Sequence, residues 1–167
     1  MPVLKIVVTS AGALAVSAAL ATPIVLSQQS AQPPLVHSAS FSANPDAAAL
    51  TDATYAVTFT AVGKLTTGYS RIRLVAPPGT VLPGAGCSYR SGDNTTGIGS
   101  QACLPVTLSN SGSTATIMIG NDAAAGDSLT IVVDEVTNPP SGSYTIGVAT
   151  SSDGALVSLP FDVTAPG

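Results

Sequence analysis

The stretch from Asp127 to Ser151, DSLTIVVDEVTNPPSGSYTIGVATS, sets the tightest limit on what this chain can fold into. Apolar side chains recur there at every second position, first Leu129, Ile131 and Val133, then Tyr144, Ile146 and Val148. Successive side chains of a strand point to opposite faces, so this spacing buries one face and wets the other. Between the two runs, Asn138-Pro139-Pro140-Ser141-Gly142 carries turn chemistry. The segment therefore reads as a hairpin, two strands joined by a tight turn.

The same alternation recurs along the chain. Leu35 to Ser42 places Leu35, His37, Ala39 and Phe41 on alternate positions before Asn44-Pro45-Asp46 breaks the run. Ala53 to Ala61 turns Tyr55, Val57 and Phe59 one way and Thr54, Thr58 and Thr60 the other. In Arg71 to Ala76, Ile72 and Leu74 point inward, Arg71 and Arg73 point outward together, and Pro77-Pro78-Gly79 stops the strand. Short strands are expected at Cys87 to Arg90 and Pro105 to Ser109, and a further one at Thr114 to Ile119 with Ile117 and Ile119 on one side. Leu156 to Val163 closes the set, with Val157, Leu159, Phe161 and Val163 on its apolar face.

Seven to nine short strands with no convincing helix between them predict an all-β fold, an antiparallel immunoglobulin-like β-sandwich over residues 35–164. An up-and-down barrel is the alternative, and its strands should be more even in length.

Charge narrows the partners. Only 8% of the residues are charged and the net charge is −4. Nucleic acid is excluded, because its binding rests on Lys and Arg neutralising phosphates. After the leader the basic residues are Lys64, Arg71, Arg73 and Arg90; from Ser91 onward only acids occur. That asymmetry either keeps the surface soluble or supports head-to-tail association of copies.

The first residues read as an export signal. Lys5 precedes an apolar run from Ile6 to Leu26, and Ala19-Leu20-Ala21 fits the small-x-small cleavage pattern. Residues 1–21 are assigned to a signal peptide, with a later cut near Ala31 or a retained anchor as alternatives, and 22–34 to a flexible linker. Membrane contact is expected only through an uncleaved leader. An exported chain meets oxidising conditions, so Cys87 and Cys103 are expected to form a disulfide that closes the Gly/Ser/Asn-rich loop between them. A metal pair or a reactive thiol is the alternative reading, but two Cys and one distant His are too few for a zinc site.

A family resemblance follows from five motifs in order: Tyr55-x-Val57-x-Phe59; Gly68 to Pro83 with Ile72, Leu74, Pro77 and Gly79-Thr80; Ala125-Gly126-Asp127-Ser128-Leu129-Thr130-Ile131; Val136-Thr137-Asn138-Pro139; and Gly142-Ser143-Tyr144-Thr145. Together they resemble an immunoglobulin-like module that recurs in secreted and surface-anchored proteins of bacteria and archaea. The resemblance covers Val36 to Val163. It implies a structural or interaction role outside the cell, and it supplies no catalytic motif to transfer. Leu159-Pro160-Phe161-Asp162 lacks the Thr-Gly ending, hydrophobic segment and basic tail of a wall-sorting signal. Surface attachment therefore rests on a retained leader or on another protein.

Constellations for chemistry are sparse. His37 is the one histidine and reads as a solvent-facing residue rather than a catalytic base. No Gly-x-Ser-x-Gly elbow is present, and Gly97-Ile98-Gly99 reads as loop glycine. Asp134 and Glu135 are adjacent and should face opposite ways on a strand, which argues against a paired-carboxylate site. Asp122 and Asp127 flank Ala123-Ala124-Ala125-Gly126 and either bond the turn backbone or contribute to a calcium site. Arg71 and Arg73, with Tyr69 and Tyr89, form either a small anionic-glycan patch or an ordinary solvated face. The lack of Trp removes the best sugar platform, and Asn94-Thr95-Thr96 is a glycosylation acceptor where the host has that machinery. No cofactor, metal or catalytic residue is expected.

The chain is thus expected to be a secreted or cell-surface, non-enzymatic structural or interaction module. Two alternatives stand beside it. One is a filament subunit, pairing Leu35–Ser42 or Leu156–Val163 with a neighbour's sheet edge. The other is a carbohydrate-binding or enzymatic domain on the same fold. Its partner is itself or another surface protein.

Overall fold

The computed structural model describes residues 36–84 and 87–167. The expectations for the leader and the linker, residues 1–34, and for Leu35 lie outside the described residues. Ten strands follow one another: β1 (His37–Asn44), β2 (Ala53–Thr60), β3 (Arg71–Val75), β4 (Tyr89–Asp93), β5 (Ile98–Ala102), β6 (Val106–Ser109), β7 (Thr114–Met118), β8 (Ser128–Val136), β9 (Gly142–Thr150) and β10 (Val157–Val163). Among the described residues one 3-10 turn, Asn110–Gly112, interrupts them. Among the described residues no helix is long and apolar enough to cross a membrane.

The strands form two five-stranded sheets, β1-β2-β8-β4-β5 and β10-β9-β3-β7-β6, with every ladder antiparallel. β2 lies beside β8 in one sheet, and β3 beside β9 in the other. That is the B–E and C–F pairing of an immunoglobulin-type sandwich. The fold is all-β, as the alternation predicts.

Period-two burial holds along the inner faces. Tyr55, Val57 and Phe59 of β2, Ile131 and Val133 of β8, Ile72 and Leu74 of β3, and Ile146 and Val148 of β9 are all fully buried in one core. Each such side chain contributes about 1.5–3 kcal/mol by leaving water. At the β1/β10 side, Phe41 closes the core, its ring 5.0 Å from Tyr55 and 4.7 Å from Phe161.

Two local readings need correction. The Asp127–Ser151 segment is not a hairpin, because β8 and β9 belong to different sheets. Both edges of β8 are occupied by β2 and β4, so β9 cannot pair with it. Glu135 takes a left-handed φ of 61° and bulges the end of β8, and Thr137 pairs instead with Val81. The prolines then carry the chain across without N–H groups to offer a ladder.

His37 faces solvent, as expected, although alternate spacing alone would put it in phase with Ala39 and Phe41. A register shift between His37 and Ser40, with Ser38 at φ 48°, puts the imidazole in solvent while Ala39 and Phe41 keep their inward phase. The Cys-bracketed segment is not simply a loop either. It folds as the β4–β5 hairpin, and β5 takes the strand count among the described residues to ten. Cys87, just before β4, is bonded to Cys103, just after β5, which fastens the open end of that hairpin.

Candidate functional site

The carboxylates come first, because they are the groups most able to do chemistry. Asp122 accepts the Thr67 N–H at 2.7 Å and Asp127 accepts the Ala124 N–H at 2.7 Å, so both hold turns. The bond from the Thr67 N–H, with help from the Thr67 hydroxyl and the Lys64 charge, holds the Asp122 carboxyl below its usual range. Among the described residues no group of three or more His, Cys, Asp or Glu is placed to hold a metal ion. The turn-bonding reading of Asp122 and Asp127 fits these contacts.

Asp93 caps the β4–β5 turn, accepting the Thr95 N–H at 2.8 Å and the Thr96 hydroxyl at 2.7 Å. Burial opposes its ionisation, but the bonds from Thr96 and Thr95 outweigh that and lower its pKa. Asp153 is fully buried, accepting the Thr150 hydroxyl at 2.6 Å and the Gly63 N–H at 3.3 Å.

Asp134 and Glu135 do not face opposite ways. The bulge at Glu135 adds a residue to the strand, so both side chains stand at the solvent side while Val136 turns inward. Asp134 accepts the Thr54 hydroxyl at 2.9 Å and pairs with the Arg90 guanidinium at 2.6 Å. Glu135 accepts the Ser88 hydroxyl at 2.8 Å.

The outer face of the β1-β2-β8-β4-β5 sheet is thereby bonded to itself. Besides the Arg90–Asp134 pair, the Thr58 and Thr130 hydroxyls share a bond at 2.8 Å. The Asn94 amide donates to Thr130 at 2.9 Å and to Ser128 at 3.3 Å. That places the side chain of the glycosylation acceptor in this hydroxyl network.

The outer face of the other sheet is different. Arg71 and Arg73 point outward from β3, as the alternation predicts, opposite Met118 and Thr116 of β7. The Arg71 Nη1 donates to the Tyr69 carbonyl at 2.7 Å and lies 3.4 and 3.3 Å from the Gly68 and Ser70 carbonyls. A concavity of about 310 Å³ opens at these two arginines, lined also by Thr116 and Ser151. A second, of about 670 Å³, opens farther along β3 and β9, between Val75, Pro77, Pro78, Tyr144, Leu156 and Pro160. Leu156 lies across Gly147, where a side chain on that glycine would collide with it.

The tyrosines expected near the arginines separate. Tyr69, in the turn before β3, is 83% exposed. Tyr89 is buried in the other sheet, where its hydroxyl donates to the Pro83 carbonyl at 2.8 Å, and burial pushes its pKa up. Tyr55 is buried as well. Desolvation pushes its pKa up to about 12; nearby Thr80 pulls the other way, yet no hydrogen bond of good geometry joins the two hydroxyls. The 670 Å³ groove has no single motif in the sequence, since three separated segments build it. The small outward residues of β9, Thr145 and Gly147, are its nearest signal.

No family model matches the chain, and no curated protein matches it. Among solved structures it is similar to BslA, a bacterial hydrophobin, at 17% identity and a TM-score of 0.49, over 77% of this chain and 96% of that one. It is similar to a serine-rich repeat adhesion glycoprotein of Streptococcus agalactiae at 13% identity and a TM-score of 0.42, over 68% of this chain and 42% of that one. It is also similar to the collagen-binding domain of a Staphylococcus aureus adhesin at 11% identity and a TM-score of 0.43, over 80% and 97% of the two chains. These are likenesses of fold, and the assignment to an immunoglobulin-like sandwich rests on the sheet order of this chain itself.

Proposed function

We propose that this protein is an exported, non-enzymatic interaction module, secreted or held at the cell surface, whose recognition face is the outer face of the β10-β9-β3-β7-β6 sheet. One observation carries the reading: polar side chains on the other outer face are bonded to each other, while this face, apart from the Ser143–Asp162 bond at its β9–β10 edge, keeps two open concavities, a half-buried Arg71 and an exposed Arg73. A face satisfied internally has little left to offer a ligand. The Cys87–Cys103 bond belongs to the same proposal, because a disulfide persists in an oxidising compartment.

The test uses the exported full-length gene product from the producing cells. Intact mass with and without reductant gives the mature N-terminus and the thiol state. Sedimentation with washed cells gives binding. Thr145→Gln with Ser158→Gln, which fill the groove without changing charge, should abolish co-sedimentation; Thr58→Gln on the other sheet should leave it intact. A protein found only inside cells sinks the export reading. Co-sedimentation unmoved by the groove changes sinks the face.

Edge pairing between copies is a second reading, favoured by one observation. β1 is an eight-residue edge strand, HSASFSAN, with no proline and no Lys, Arg, Asp or Glu, whereas the β10 edge carries Pro160 and Asp162. Regular fibres under negative stain would support it; a monomer at every concentration on size exclusion would end it.

A further inference from the structure

We infer that Arg71 and Arg73 form an anion site for a linear acidic polysaccharide, whose carboxylate or sulfate groups supply the counter-charge these two arginines lack. The inference rests on the recognition face proposed above and names its ligand class.

The two guanidinium groups leave the same side of β3 two residues apart, a spacing of roughly 6–7 Å along a strand. Like charges so placed repel unless an anion lies between them. The chain does not provide one among the described residues. Arg90 has taken Asp134 on the other sheet, Asp122 holds the Thr67 N–H, and Asp153 is buried against Thr150 and Gly63. Arg73 has neither an ion pair nor a hydrogen bond to a described residue. Arg71 is braced through Nη1 by the carbonyl of Tyr69, so its position is set before a ligand arrives. A planar guanidinium meets a carboxylate or sulfate through paired N–H donors.

The polymer class follows from what continues the site. Moving along β3 from Arg71 and Arg73, the arginine concavity is followed by the larger groove at Val75, Pro77 and Pro78. From Arg71 to Pro78 that track runs roughly 20 Å at strand rise. It carries the hydroxyls of Thr116, Thr145, Ser151 and Ser158 among the apolar Val75, Pro77, Leu156 and Pro160. Tyr69 is exposed in the turn that braces Arg71. Hydroxyls suit sugar hydroxyls, and aromatic faces suit sugar C–H faces. An extended acidic peptide fits less well. The track crosses a sheet face whose backbone groups are already in ladders, so the peptide backbone would find no partners there.

The test measures binding of the exported protein to polygalacturonate and to dextran sulfate at low salt, with neutral dextran and polyglutamate alongside. The two anionic glycans separate carboxylate from sulfate as the source of charge. Binding to at least one is expected, weakening as salt rises, with neutral dextran inert. Arg73→Glu, at an exposed position that should leave the melting temperature unchanged, is expected to weaken it about tenfold or more. Arg90→Ala should not. Binding to neither glycan, or equal binding by Arg73→Glu, overturns the inference; polyglutamate bound as tightly as the glycans replaces its ligand class. If cell binding still depends on Thr145 and Ser158 after such a failure, the recognition face stands and the anion site alone falls.

Discussion

The two outer faces of this sandwich start from the same alternation and end differently. On the face carrying Thr54, Thr58, Thr130, Asp134 and Arg90, outward polar groups find one another across strands. On the face carrying Arg71 and Arg73, two cations stand on the central strand of a sheet whose outward neighbours are Thr116, Ala149 and Gly147. Cross-strand pairs stabilise a sheet, so the first face contributes to holding the fold. The second contributes surface. Changes on the first should therefore cost stability and spare binding, and changes on the second the reverse.

The largest expected effect lies at the edge of the first face. Cys87→Ser with Cys103→Ser releases a loop closed over a sequence separation of 16 and frees the base of the β4–β5 hairpin. A loss of about 3 kcal/mol is expected in urea unfolding, on the chain-entropy estimate for such a loop. Binding to cells should persist below the new midpoint. Lost binding with intact stability would mean that the hairpin belongs to the recognition surface.

Asp134→Ala comes next. It removes the partner of the Arg90 guanidinium and of the Thr54 hydroxyl together. Both sites are partly exposed, so about 1–2 kcal/mol is expected rather than the cost of a buried pair. Arg73→Ala, by contrast, should stay within about 0.5 kcal/mol of the parent, as surface substitutions do. If the arginine change were the more destabilising, the division between the faces would be wrong.

Much of this was legible in the sequence, and the misses have physical causes. The inward phase of β2, β3, β7, β8 and β10 follows from period-two spacing alone, and so does the outward pairing of Arg71 with Arg73. What spacing cannot report is which strands pair. Asn138-Pro139-Pro140 suits a tight turn and a change of sheet equally, and the choice is made by β2 and β4 occupying both edges of β8. The bulges at Ser38 and Glu135 are equally silent, because neither is a glycine and nothing local marks a left-handed residue there. That silence cost the orientation of Glu135, while His37 faces solvent as expected. The larger groove was unreadable for another reason, since it needs β3, β9 and β10 assembled side by side.

The core between the faces offers a comparison of its own in two buried tyrosines. Tyr89→Phe removes a hydrogen bond to the Pro83 carbonyl and should cost about 1 kcal/mol. Tyr55→Phe removes a hydroxyl with no well-formed bond, so it should be neutral or stabilising at pH 7. Both phenols have folded-state pKa values raised above the ordinary 10. The unfolded chain therefore ionises first as pH rises. Stability should be level below about pH 10, where ordinary phenols begin to lose protons, and fall above it, through about 12 for Tyr55. Tyr55→Phe should soften that fall. Asp93 and Asp122 act in the other direction, with lowered pKa values whose stabilisation is present at neutral pH and lost as pH drops through them.

The smallest effect is the sharpest check on the difference between the faces. Thr58→Val with Thr130→Val replaces a cross-strand hydroxyl pair by two β-branched apolar groups of nearly the same shape. Removing both partners at once leaves neither hydroxyl stranded, although the Asn94 amide loses one acceptor and keeps Ser128. A change within about 0.5 kcal/mol is expected, since valine favours strands as much as threonine does. The single change Thr130→Val should cost more than the double one, because it strands the Thr58 hydroxyl. Finding the single and double variants equal would mean that water already satisfies these hydroxyls. The first face would then be no more self-contained than the second, and the argument for where a ligand binds would rest on the arginines alone.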